Sequence, residues 1–344
     1  TGSAQRPQRA KTRTPNNAAS PAMSVRLGGH KRRFILVCYL MGLLCTRIAA
    51  LALASLSAHS QPQELRQRDF SPAGGPLEAL AWRWAPAVVH GLGVDPRADA
   101  ITRVDFDGDW DSSNNWEHLN THPLPPAAYF EVFETGTHYF LVYAFFHPRD
   151  VAPICLPIVC HENDLEGAGI VLRKTPAEPV FEALATFGHD HFALHRAPLR
   201  RSWREKDLER VGINIEANGH GIKAQAKDEI ARRETLQVPA KSTTDASGYA
   251  LLPLAELWNH RDTPGFMTGR RDFRGKRFLI KRVPAALDGK KWARARANPP
   301  WSWTESSDPE RELGDWFWDP ALWYFARLGS PKDYSLDYLR HPLQ

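Results

Sequence analysis

The 344-residue chain carries 44 Lys and Arg against 39 Asp and Glu, a formal charge of +5. Nine of the basic residues and none of the acidic ones lie in residues 1–60, leaving 35 against 39, or −4, for the rest. The basicity belongs to the leader, so nothing in the charge balance argues for nucleic-acid binding.

Within the leader, the basic run His30 to Arg33 precedes FILVCYLMGLLC and, after Arg47, IAALALASLSA, with Ala52-Leu53-Ala54 as a small-residue cleavage site. That layout predicts a secretory signal over 23–58, with Met23 as the start and 1–22 as an upstream segment. An uncleaved anchor over 34–58 is the rival reading, and a mid-span Arg47 counts against it. The remaining 62–344 is expected to be a single domain with a Trp-rich extension from about 239, located in a secreted or periplasmic setting.

AWRWAPAVV, from Ala81 to Val89, reads as an extended entry strand, and GLGVDPRADA as a turn. Asp105, Asp107, Asp109 and Asp111 then alternate, which places them on one face if the segment is extended. An EF-hand is excluded: counting from Asp105, Trp110 stands where glycine is required and Trp116 where glutamate is required. A non-EF calcium loop and a polar edge with Asx turns both remain. If this segment lies beside Asp150, Asp107 and Asp109 are candidate ligand contacts.

AAYFEVF (127–133) and the run from His138 to Phe146 predict a hairpin, its second strand stopping at His147-Pro148. Gly167 to Leu172 predicts a further strand. Between them a turn is expected to hold Asp150, His161, Asp164 and Glu166. Three carboxylates together repel unless a cation lies among them, and an oxygen-rich set with one nitrogen suits Mg²⁺ or Ca²⁺ better than Zn²⁺. A polar, solvated turn is the plain alternative. Beyond the leader only Cys155 and Cys160 remain; they read as a disulfide, as free thiols or as soft metal ligands, according to compartment.

Pro179 to Phe187 and His191 to Leu194 predict another hairpin turning at Gly188-His189-Asp190. His189, His191 and His195 complete no recognised zinc spacing. Val211 to Ala217 reads as a strand ending in Asn218-Gly219-His220-Gly221, which places His220 on an exposed tight turn as a second-site candidate. AQAKDEIARRETLQ (224–237) has helical spacing and predicts a surface helix. The basic clusters at 269–277 and 290–297 read as solvated faces. Trp301, Trp303, Trp316, Trp318 and Trp323 either seal the sheets or stack on sugars or a membrane interface, burial being the default.

The strand ending F-H-P-R-D, followed after a loop by C-H-E-N-D-L-E-G, resembles the necrosis- and ethylene-inducing (NPP1-type) family, whose heptapeptide is G-H-R-H-D-W-E. Cys160 to Glu166 keeps its first His, its Asp and its Glu as His161, Asp164 and Glu166, and Asp150 takes the place of the upstream Asp. Cys160, Glu162, Asn163 and Leu165 depart from it. The Gly-His-Gly turn at His220 is similar to a G-S-H-A or G-T-H turn in that family and in the Vps62-like group. The resemblance implies a β-sandwich and a divalent cation held by Asp150, His161, Asp164 and Glu166. Many short strands with frequent Pro and Gly independently predict an all-β sandwich with peripheral helices and long loops. The expected function is a secreted, divalent-cation-dependent protein engaging a membrane glycolipid, carbohydrate or phosphorylated head group. A metal-dependent hydrolase of phosphoesters or glycans, with Glu162 or His220 as general base, is the alternative.

Overall fold

A computed structural model describes residues 75–151, 161–189, 191–199, 202–205, 208–225, 230–241, 248–267, 270–273, 276–279, 299–303 and 315–342. The Cys155 and Cys160 pairing and the leader assignments lie outside them.

The hairpin and strand expectations hold, and the elements are mostly strands, in two mixed sheets. The large sheet centres on β2 (Ala127–Thr135), β3 (His138–Asp150) and β4 (His161–Arg173), all antiparallel, continued by β5 (Val180–Gly188) and β6 (His191–Arg196). The smaller sheet joins β1 (Ala87–Gly91) to β8 (Leu208–Ile215) in parallel, flanked by β10 (Glu234–Gln237), β7 (Ser202–Glu205) and β9 (Ile222–Ala224).

One core lies between the sheets, where Val88, Ile213 and Ile215 meet Phe130, Leu141, Tyr143, Phe145 and Ile170. A second covers the opposite face of the large sheet, where Phe133, Phe140, Val142, Phe146 and Leu165 meet Trp301, Trp303, Trp316 and Trp323. The large sheet is thus a middle layer, apolar on both faces. That is why β2 and β3 read as unbroken aromatic and β-branched runs with no polar alternation. The described tryptophans of the C-terminal region seal this sheet, as the default reading held; Trp301, Trp303 and Trp316 are almost fully buried.

Four local expectations are corrected. The entry segment is helical, α1 (Pro76–Trp84), with Pro76 opening the first turn where a missing amide costs nothing; only Ala87–Gly91 is strand. The described part of 224–237 is not a helix. Leu236 pairs with Val89 and Thr235 with His90 on the open edge of β1, so sheet pairing overrides the local helical spacing. The third strand continues past Pro148, with Arg149 opposite Glu162 and Asp150 opposite His161. The ladder has no pair at Pro148, whose opposite residue, Asn163, turns out of the pleat at φ 59°. Consequently the four metal candidates lie on paired strands, not in a turn.

Arg210 of β8 is buried and donates from Nη1 to the Trp82, Arg83 and Ala85 carbonyls at 3.0, 3.3 and 3.1 Å. It closes the C-terminal end of α1, where carbonyls lack helical partners and a cation is favoured. Arg210→Ala is expected to cost about 2 kcal/mol or more, since buried carbonyls lose their donor. A shift in the urea midpoint measures this; an unchanged midpoint would mean that water serves those carbonyls equally well.

Candidate metal centre at the end of the large sheet

The ladder between β3 and β4 places Asp150 and His161 side by side. His161 Nε2 stands 3.4 Å from Asp150 Oδ2, while Nδ1 lies 3.0 Å from the Asn163 carbonyl and 3.3 Å from that of Glu162. Carbonyls only accept, so Nδ1 carries a proton. Nε2 therefore faces the carboxylate at an ion-pair distance, and a positive charge is stabilised there, whether a proton on the ring or a cation in its place. Burial alone would lower the His161 pKa, but Asp150 and Asp164 overturn that and raise it.

Asp164 is buried, and its Oδ2 lies 3.1 Å from His220 Nδ1. On the other side of the ring, His220 Nε2 faces Asp99 Oδ1 at 3.4 Å, an ion-pair distance without hydrogen-bond alignment. His220 is therefore fully buried, which corrects the exposed turn expected for it. Burial pulls its pKa down, yet the two carboxylates dominate and lift it to about 9, so it is a cation at neutral pH. Burial raises the Asp164 pKa less than His220 and His161 lower it, and it remains ionised.

Sequence reasoning missed the support of this clamp. Asp99 accepts the Gly93 and Asn218 amides at 2.6 Å each, tying the loop after β1 to the His220 turn. His147 stacks on His220 at 3.8 Å with planes 2° apart, and His90 meets His147 edge-on. His147 Nδ1 donates to the Asp99 carbonyl; burial first, then the neighbouring imidazoles, hold its pKa well below the ordinary value, and that of His90 falls to about 4. A neutral ring stacked on a cation is an attractive arrangement. Lone His and Asp residues scattered between 90 and 220 have no spacing that announces such convergence.

Asn163, His189, Asn218 and His220 all have positive φ (59°, 54°, 70° and 55°) and all belong to this neighbourhood. Left-handed non-glycine residues cost about 1–3 kcal/mol each and persist where the surroundings over-determine them. Glu166 Oε1 accepts the His189 amide at 3.1 Å, and the His189 ring pairs with Glu216. His195 lies along β6 opposite Leu184 and His191 opposite Gly188. Among the described residues, no group of three or more His, Cys, Asp or Glu side chains is gathered as a ready metal-ligand set. Asp164 is turned to His220, and Glu166 to the His189 backbone.

The acidic segment is a series of turns, as the Asx-turn reading expected: the Asp109, Asp111 and Ser113 amides donate to the Asp107, Asp109 and Asp111 carboxylates. Arg103 takes Asp105, His118 Nδ1 takes Asp107 at 2.6 Å, and Asp109 accepts the Asp111 amide and Asn114 Nδ2. It nevertheless abuts the fourth strand through the short helix α2 (Asn115–His118). Asn115 donates to Asn163 Oδ1 at 2.7 Å, and the Trp116 amide donates to the buried Glu162 at 2.7 Å.

No protein-family model matches the chain, and no curated protein matches it. Among solved structures it is similar to necrosis and ethylene inducing protein 2 from the causal agent of cocoa's witches' broom disease, at 18% identity over 45% of this chain and 70% of that one, TM-score 0.31. It is also similar to the non-toxic HaNLP3 protein, at 14% identity over 54% and 81%, TM-score 0.30. A third is NLPPya in complex with mannosamine, at 16% identity over 55% and 80%, TM-score 0.32. With scores this low, the assignment of the sandwich rests on the sheets described above.

Proposed function

We propose that this end of the sheet binds a divalent cation through Asp150, His161, Asp164 and Glu166, and that the ion engages oxygens of a sugar or phosphate head group. The observation that carries this reading is His161 Nε2 facing Asp150 with Nδ1 held by backbone carbonyls, the outer-shell arrangement of a histidine that ligates once a cation displaces its Nε2 proton. Three carboxylates and one imidazole favour Ca²⁺ or Mg²⁺, and a hard cation keeps positions open for hydroxyl or phosphate oxygens. The hydrolase reading has less support. Glu162 is bonded to the Trp116 amide, and His220, protonated at neutral pH, has no lone pair with which to accept a proton.

Metal analysis of the full chain before and after chelation tests the proposal, alongside Asp150→Asn and His161→Gln. One Ca²⁺ or Mg²⁺ per chain is expected, with affinity at least tenfold weaker in both variants. The loaded protein, but not the chelated one, is expected to bind vesicles carrying glycolipid or phosphorylated head groups. Absence of metal, or identical affinity in both variants, overturns the site; metal binding without vesicle binding overturns the ligand class alone.

A further inference from the structure

A second pair of imidazoles lies outside this set, on the helical turn that follows the acidic segment. The His122 amide bonds to the His118 carbonyl at 3.1 Å, so the two residues stand one turn apart on the same side, and their rings are 4.8 Å apart. Their tautomers follow from their partners. Asp107 Oδ2 can only accept, so His118 Nδ1 donates across 2.6 Å. Thr121 Oγ1 donates to the His118 carbonyl at 3.2 Å, so toward His122 Nδ1, 2.9 Å away, it accepts. Both rings therefore carry their protons on Nδ1 and present Nε2 lone pairs. The Asp107 carboxylate is withdrawn from solvent, the His118 side chain is about one-third exposed, and Arg97 fixes the turn by donating to the His122 and Leu119 carbonyls.

We propose that His118 and His122 form a binding site for a borderline transition ion, Zn²⁺ or Cu²⁺, taken by the two Nε2 atoms with water completing the coordination. Imidazole suits these ions rather than Ca²⁺ or Mg²⁺. Asp107 is the positioning carboxylate that fixes the His118 tautomer and ring orientation. The site stands on residues separate from Asp150, His161, Asp164 and Glu166, so it survives if the hard-cation reading fails.

The test is calorimetric titration of Zn²⁺ into the full chain in excess Ca²⁺ and Mg²⁺, with Cu²⁺ electron paramagnetic resonance to count ligating nitrogens. A one-equivalent Zn²⁺ step is expected in the parent, absent in His122→Ala and weakened about 10–100-fold in Asp107→Asn. The Cu²⁺ spectrum is expected to show two imidazole nitrogens in the parent and fewer in His122→Ala. His122 is on the surface side of the turn, and a melting curve in chelator matching the parent's confirms that this variant is folded. No Zn²⁺ step in the parent, or the same step and spectrum in His122→Ala, overturns the proposal.

Discussion

Replacing His220 with alanine is expected to lower folding stability by about 3–5 kcal/mol, the cost of removing one partner from a buried ion pair. Among the described residues the ring is the cation between Asp99 and Asp164, and all three side chains are withdrawn from solvent. Without it, Asp164 keeps a buried charge with its principal partner gone, and the stack with His147 is lost. The positive φ of His220 offsets little of this loss, since alanine keeps the left-handed strain that only glycine avoids. Denaturant unfolding in chelator measures the loss; a change under 1 kcal/mol would show that the clamp contributes little.

The same group sets a pH dependence in the chelated protein. Its folded pKa, about 9, lies above the ordinary value of 6.5, so its contribution is fully present below pH 6.5 and is lost as pH rises through 9. The groups facing it are Asp99, Asp164, Asp150, His147 and His90. Asp99 and Asp164 are held below the ordinary carboxylate value and act in the opposite sense, their contribution being lost as pH falls through their folded values. Stability is expected to fall between pH 6.5 and 9 in the parent and to fall less in His220→Ala, where the raised His161 still contributes.

The sandwich was legible because β2, β3 and β4 are long runs whose aromatic and β-branched content leaves a helix no amphipathic face. Asp150, His161, Asp164 and Glu166 were legible because they crowd into one short stretch. Asp99, His147 and His90 were not, since their meeting depends on a parallel pairing between strands more than a hundred residues apart, Val88 with Ile213 and His90 with Ile215. Local pattern also misled where pairing outweighed it, at Glu234–Gln237. His220 looked exposed because glycines flank it, yet those glycines let backbone and imidazole pack closely. A Cβ on Gly221 would stand 2.6 Å from His189 Nε2.

Trp316→Ala is expected to cost about 3–5 kcal/mol, at the upper end for a core truncation, because the ring rests on a glycine. A Cβ on Gly169 would lie 2.3 Å from Trp316 Cζ2 and 2.4 Å from the Tyr324 hydroxyl, so β4 has no side chain there to relax into the cavity. Trp303 lies in the same way over Gly167, and the Trp316 indole also donates to Tyr324 at 3.1 Å. The close approach of Trp316 to Gly169 fixes a sign for the coupling between the two positions. Gly169→Ala alone overpacks the site and is expected to destabilise by about 1–3 kcal/mol. In the Trp316→Ala background the added methyl enters vacated space, so Gly169→Ala is expected to cost at least about 1 kcal/mol less than it does in the parent. A double-mutant cycle on denaturation midpoints measures this term. Additive losses would mean that Tyr324, not the indole, limits the space above Gly169, and that the tryptophan-rich segment seals the sheet less closely than its packing indicates.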